Sequence, residues 1–154
     1  MWTDEDIEKK RYAKAGRPVK NPFPSAEVEK DFAVRGRMMI ERYFVPPPQS
    51  TLNFVFSKNK KISKTAFWAI IYLHYINTKG VEENLKGFMD AAGNHFGTDV
   101  VCDRASVHKH FGKLKNFSVH SIPSDYTPPP SEKKAYLKFR SQYHYVTTLW
   151  DGIV

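Results

Sequence analysis

The sequence predicts a mainly helical fold with a minor β component. Two observations carry this. Apolar residues recur at spacings of three and four along successive stretches, the period of a helix that hides one face. Ser, Asp, Gly and Pro fall where those stretches begin and stop, and only two short runs, LNFVF and FSVHSI, alternate as strands do. One helical domain over residues 25–154 is expected, preceded by a flexible basic tail over 1–24.

The elements follow in order. In the tail, DEDIE gives way to KKRYAKAGRPVKNPFP, which is basic and holds Gly16 and three prolines. Trp2, Ile7, Tyr12 and Phe23 are its candidates for packing on the body. Ser25 is a natural N-cap, and the helix behind it reaches about Tyr43 with Val28, Phe32, Met39 and Tyr43 on one face. VPPPQ stops it, because consecutive prolines cannot continue a helix. LNFVF, 52–56, reads as a short strand and SKNKK as a turn. Ser63 or Lys64 opens the next helix, TAFWAIIYLHYIN, which is apolar on nearly every side and so belongs at the centre. Gly80 stops it. Glu82 and Glu83 suit the first turn of the following helix, whose Leu85, Phe88, Met89, Ala92 and Phe96 form one face before Gly97. Asp103 caps another, with Val107, Phe111 and Leu114 inward. After the alternating FSVHSI and the proline-rich PSDYTPPPS, Ser131 caps a final helix at about 131–150 carrying Ala135, Phe139, Tyr143, Val146 and Trp150. The competing reading makes YHYVTTLW a strand.

Composition narrows the classes. Of 154 residues, 41% are hydrophobic and 14% aromatic, ample for a core and against wholesale disorder. The net charge is +8, which directs attention to polyanionic or acidic partners. Cys102 is the single cysteine, so no disulfide forms within the chain. The N-terminus lacks the apolar core of a signal peptide. The most apolar run, AFWAIIYLHYI, has eleven residues where a membrane span needs roughly twenty. The expectation is a cytoplasmic protein without membrane contact.

The charge gathers in DRASVHKHFGKLKN, 103–116. Asp103 is its only acid, whereas the preceding helix region carries Glu82, Glu83, Asp90 and Asp99 against Lys86. Three successive helices, the third basic and followed by an alternating segment, resemble the helix-turn-helix and winged-helix DNA-binding families over about 63–122. The resemblance implies a third helix, 103–115, in the major groove. Its groove-facing positions would be Arg104, Ser106, His108, Lys109 and Lys113, with Gly112 permitting close approach. Arg104 and Lys109 can donate to guanine edges or phosphates, and Ser106 and His108 to bases or backbone. The link GTDVVC is longer than the tight turn of the simplest members, and no clear second wing strand follows FSVHSI. The plain alternative is a solvated amphipathic helix.

Other basic stretches extend this reading. Gly16-Arg17-Pro18 within KAGRPVK resembles the core of an AT-hook, which implies Arg17 in a narrow minor groove with Lys14 and Lys20 on phosphates. Ala15 stands where that pattern has arginine, and a basic tail without groove preference is the competing reading. SKNKKISK, with Lys58 and Lys61, precedes the central helix where phosphate contacts are common in the winged-helix arrangement. SEKKAYLKFR interleaves Lys133, Lys134, Lys138 and Arg140 with Tyr136 and Phe139, a pattern that can stack on single-stranded bases or simply build core.

Catalysis finds little support. A His-x-His pair on a helix, His108 and His110, points its rings about two hundred degrees apart, and no Cys-x-x-Cys or His-Glu-x-x-His occurs. Cys102 before a helix start is a lone thiol. No nucleotide loop or nucleophile elbow is present, and the acids are scattered rather than clustered for a metal. The expectation is a non-enzymatic protein, without cofactor or metal, that binds double-stranded DNA. By analogy with the family it serves as a transcription regulator or a plasmid or mobile-element accessory factor, with a homodimer left open. The alternatives are a helical interaction module for an acidic protein, exposing an apolar patch near Trp68, Trp150 or Tyr145, and single-strand or RNA binding through the C-terminal aromatics.

Overall fold

The apolar run at 66–75 organises everything around it. In the computed structural model, which describes residues 21–116 and 131–154, every residue from Ala66 to Tyr75 is buried. Five helices and one two-stranded sheet are described: α1 (Ala26–Tyr43), β1 (Phe54–Ser57), β2 (Lys60–Ile62), α2 (Lys64–Thr78), α3 (Leu85–Phe96), α4 (Arg104–Asn116) and α5 (Lys133–Gly152). The fold is therefore mainly α with minor β. Central α2 packs most extensively on α4 and next on α5, while α1 lies across α3, α5 and β1. Among the described residues, no helix is long and apolar enough to cross a membrane.

The helix ends follow the local chemistry. Ser25 Oγ accepts from Val28 N, and Ser63 Oγ from Ala66 N, each at 3.2 Å. Gly80 adopts a φ of +72° just beyond α2, a left-handed turn that favours glycine. Two expectations are corrected, and the final helix is borne out over its competing strand reading. The helix expected at Glu82 starts later: Asn84 is the cap, accepting from Gly87 N at 3.1 Å, because an amide side chain there satisfies an orphan donor that the glutamates do not. Ser131 does not cap α5; Glu132 holds that place without a side-chain bond. YHYVTTLW is helical throughout.

The segment read as a turn after LNFVF is half strand. β2 pairs antiparallel with β1 in the register Phe54↔Ile62, Val55↔Lys61 and Ser57↔Lys60. Phe54 and Ile62 point inward and are buried, while Lys60 and Lys61 are exposed. This hairpin precedes the three-helix segment. The FSVHSI segment lies outside the described residues.

Aromatic rings fill the core. Phe32 of α1 is fully buried, with the rings of Phe23, Phe88, Phe96, Tyr75, Trp68 and Trp150 at 4.9–6.2 Å. Phe23 thus joins the body just ahead of α1, and Pro22 O accepts from Glu82 N at 3.1 Å. A polar network pins the end of α5. Tyr75 Oη donates to Asp31 Oδ2 at 2.7 Å, Trp150 Nε1 donates to Tyr75 Oη at 3.1 Å, and Arg35 Nη1 donates to the Trp150 and Asp151 carbonyls at 2.8 Å. Burial alone would raise the Asp31 pKa, but hydrogen bonds from Arg35 and Tyr75 outweigh it and hold the carboxyl below its usual range.

Candidate nucleic-acid interface

Helix α4 is positioned before it is charged. Trp68 Nε1, inside the core, donates to Val100 O at 3.0 Å, and Lys64 Nζ reaches Asp99 O at 3.4 Å. The α3–α4 link is thereby tied to the start of α2. Asp103 then caps α4: its Oδ2 accepts from Ser106 N at 3.0 Å and its Oδ1 from Ser106 Oγ at 2.8 Å. These bonds, the backbone one first, hold the Asp103 pKa below the usual carboxylate range. Val107, Phe111 and Leu114 are buried as the periodicity predicts, with Phe111 packed on Tyr72 at 4.7 Å between ring centroids.

The opposite face meets solvent. Arg104, His108, Lys109 and Lys113 are exposed. Arg104, Ser106, His108 and Lys109 line one open groove of about 600 Å³, floored by Leu85 and Ala105 and joined by Lys86 from α3. Ser106 fits its expected role less well than the others, since its hydroxyl proton is committed to Asp103. Lys115 is neutralised by Glu83 at 2.9 Å. Arg104, Lys109 and Lys113 have no carboxylate within ion-pair distance among the described residues.

The two histidines of the His-x-His pair part company as helix geometry requires. His108 faces the groove. His110 turns toward α5, edge-on to Phe139 at 5.2 Å, with Nε2 buried and unpartnered. Burial first, then nearby Lys113 and Lys138, push its pKa down to about 4. Cys102 is half-buried, and burial raises its thiol pKa. Among the described residues no cluster of three or more His, Cys, Asp or Glu could hold a metal ion.

The remaining basic residues divide into two groups. Lys61 lines a second, smaller groove with Lys60 and Lys138, between the hairpin and α5. Lys58 is exposed in the hairpin turn and does not line that groove. Lys58, Lys61, Arg104, Lys109 and Lys113 do not share one groove: Arg104 and Lys109 line the first, Lys61 lines the second, and Lys58 and Lys113 line neither. Lys113 and Lys138, the latter from the second groove, both lie close enough to His110 to act on it. Lys14, Arg17 and Lys20 fall outside the described residues. Trp68 and Trp150 are fully buried, so no apolar patch forms around either indole.

Sequence reasoning missed Lys86, which stood as the lone cation of an acidic stretch, and it missed Lys60 and Tyr145 as groove residues. A register count could flag Tyr145 on α5 as a surface position, but Lys86 of α3 and Lys60 of β2 reach their grooves only through tertiary packing. No protein-family model matches the chain, and neither does any curated protein or solved structure.

Proposed function

We propose that this protein binds double-stranded DNA without catalysing a reaction, with α4 as the recognition element. One observation carries the reading. Arg104, His108 and Lys109 converge with Lys86 on an open groove, and the guanidinium and ammonium groups of Arg104 and Lys109 have no carboxylate within ion-pair distance among the described residues. Such groups gain most from phosphates and base edges, because no internal ion pair has to be broken first. The buried Val107, Phe111 and Leu114 hold the helix while its other face stays free. The reading includes a cytoplasmic setting and leaves room for a homodimer, as DNA-binding proteins of helix-turn-helix design commonly pair.

The test is fluorescence anisotropy with a labelled mixed-sequence duplex at about 50 and 200 mM salt. Binding should weaken steeply as salt rises. The Arg104→Ala/Lys109→Ala variant should bind at least tenfold more weakly, with a salt slope lower by about two. Both side chains are exposed, so the fold should survive. Unchanged affinity in the folded variant would remove α4 from the mechanism.

A further inference from the structure

The groove between the β-hairpin and α5 has chemistry of its own. Lys60 and Lys61 of β2 and Lys138 of α5 line a cavity of about 190 Å³, with Asn59, Ser141 and Gln142 beside them. Tyr145 and Phe56 supply its aromatic wall, packed edge-on at 5.7 Å between ring centroids. Lys60 Nζ stands over the Tyr145 ring at 5.3 Å, a cation–π contact that holds the ammonium in place. No carboxylate lines the cavity, and none pairs with these three lysines among the described residues.

Lys60, whose ammonium stands over the Tyr145 ring, and Lys138 bring like charges to one small concavity with Lys61 next along the strand, and an anion seated there turns their repulsion into attraction. Size selects the anion. The cavity is below the roughly 300–1,000 Å³ of pockets that enclose a drug-sized ligand, so it suits a phosphate group and not a whole nucleotide. Lysines act on phosphate as mobile point charges, and Asn59, Ser141 and Gln142 add neutral donors for the remaining oxygens.

We infer that this groove is a phosphate-binding seat, occupied by the backbone of the same duplex that α4 engages. The inference rests on the DNA-binding reading for the source of the phosphate, but not for the seat itself. Lys138 links the two regions: it lines the seat and also flanks His110 opposite Lys113 of α4. A strand leaving α4 past Lys113 would meet Lys138 and then the lysines of β2.

The experiment compares the full chain with Lys60→Gln/Lys61→Gln/Lys138→Gln. All three residues are exposed, so thermal unfolding should be unchanged, and that is checked first. Two readouts follow: the salt slope of duplex binding, and the amide NMR shifts of residues 60, 61, 141 and 142 during titration with inorganic phosphate. The expected result is saturable phosphate shifts that vanish in the variant, together with a salt slope lower by about two to three. Phosphate shifts with an unchanged slope would mean that the seat takes a free phosphate compound, overturning the backbone assignment. No shifts and an unchanged slope, while Arg104→Ala/Lys109→Ala still weakens binding, would overturn the seat and leave the α4 reading standing. If the native chain binds no duplex at low salt, the α4 reading and the backbone assignment both fall, and the phosphate shifts alone decide whether the seat exists.

Discussion

His110 offers the sharpest test of how α4 meets α5. Its Nε2 is buried without a partner and its ring stands edge-on to Phe139. Protonation would place a third cation beside Lys113 and Lys138 in a site that cannot solvate it, so its pKa falls from the ordinary 6.5 to about 4. The sign follows from linkage. Between these two values the unfolded chain takes up a proton that the folded chain refuses, so stability falls as pH drops through that window and levels off below it. The shift caps the loss at about 3 kcal/mol, and screening over the solvent-facing part of the ring reduces it to roughly 1–2 kcal/mol. His144 and Asp31 also lose stabilising arrangements on acidification, so the informative quantity is a difference between variants. Urea unfolding of the native chain and of His110→Leu, at about pH 7.5 and 4.5, supplies it. The variant should gain on the native chain by about 1–2 kcal/mol as pH falls. Parallel pH dependences would show that His110 is free to protonate in the folded state, and the described packing of α4 on α5 would be wrong.

Two glycines make opposite predictions. A Cβ at Gly36 would lie 2.2 Å from Phe96 Cζ, and that ring is stacked on Trp68 at 5.3 Å and cannot swing freely. Overpacking of about 1–3 kcal/mol should exceed the helix-propensity gain of about 1 kcal/mol, so Gly36→Ala should lower Tm by several degrees; a raised Tm would deny the close approach of α1 and α3. At Gly112 an added Cβ meets nothing within 4 Å. Gly112→Ala should therefore stabilise the fold by about 0.5–1 kcal/mol. If DNA lies close against that turn of α4, the same variant should bind duplex more weakly, and a stabilised protein with full affinity would move the contact toward Arg104.

The helical skeleton was legible because periodicity and capping are local. Val107, Phe111 and Leu114 are inward as their spacing requires, and Ser25, Ser63 and Asp103 cap as short oxygen-bearing side chains do. What escaped depends on partners distant in sequence. A three-residue strand with two exposed lysines and one buried isoleucine has almost no pattern of its own, and β2 exists because β1 offers it a ladder. On α5, Tyr143, Val146 and Trp150 are buried as expected, whereas Ala135 and Phe139 are only partly covered and Tyr136 is buried in their place near the start of the helix. The candidate site divides the same way. The solvent face of α4 can be counted from a helical wheel, whereas the hairpin groove joins residues 59–62 to residues 138–146 and has no sequence signal.

The places the described acids occupy explain why the groove cations stay unpaired in a chain of net charge +8. Several carboxylates are consumed in holding the fold. Asp31 serves Arg35 and Tyr75, Asp151 receives His74, Glu29 faces His95, Glu83 takes Lys115 and Asp103 caps α4. Three of these five, Asp151, Glu29 and Asp103, spend their charge on a histidine or a backbone amide, and so neutralise neither a lysine nor an arginine. Among the described residues, Arg35 and Lys115 are the arginine and lysine that acquire acidic partners, and neither lines a groove. The cations that line the two grooves have no carboxylate within ion-pair distance among the described residues, and the same holds for exposed Lys30, Arg37, Arg42, Lys79, Lys133 and Lys134 outside them. What sets the groove cations apart is concavity and not lack of acids: several of them can meet one polyanion at once, which is the basis for the proposed placement of the ligand.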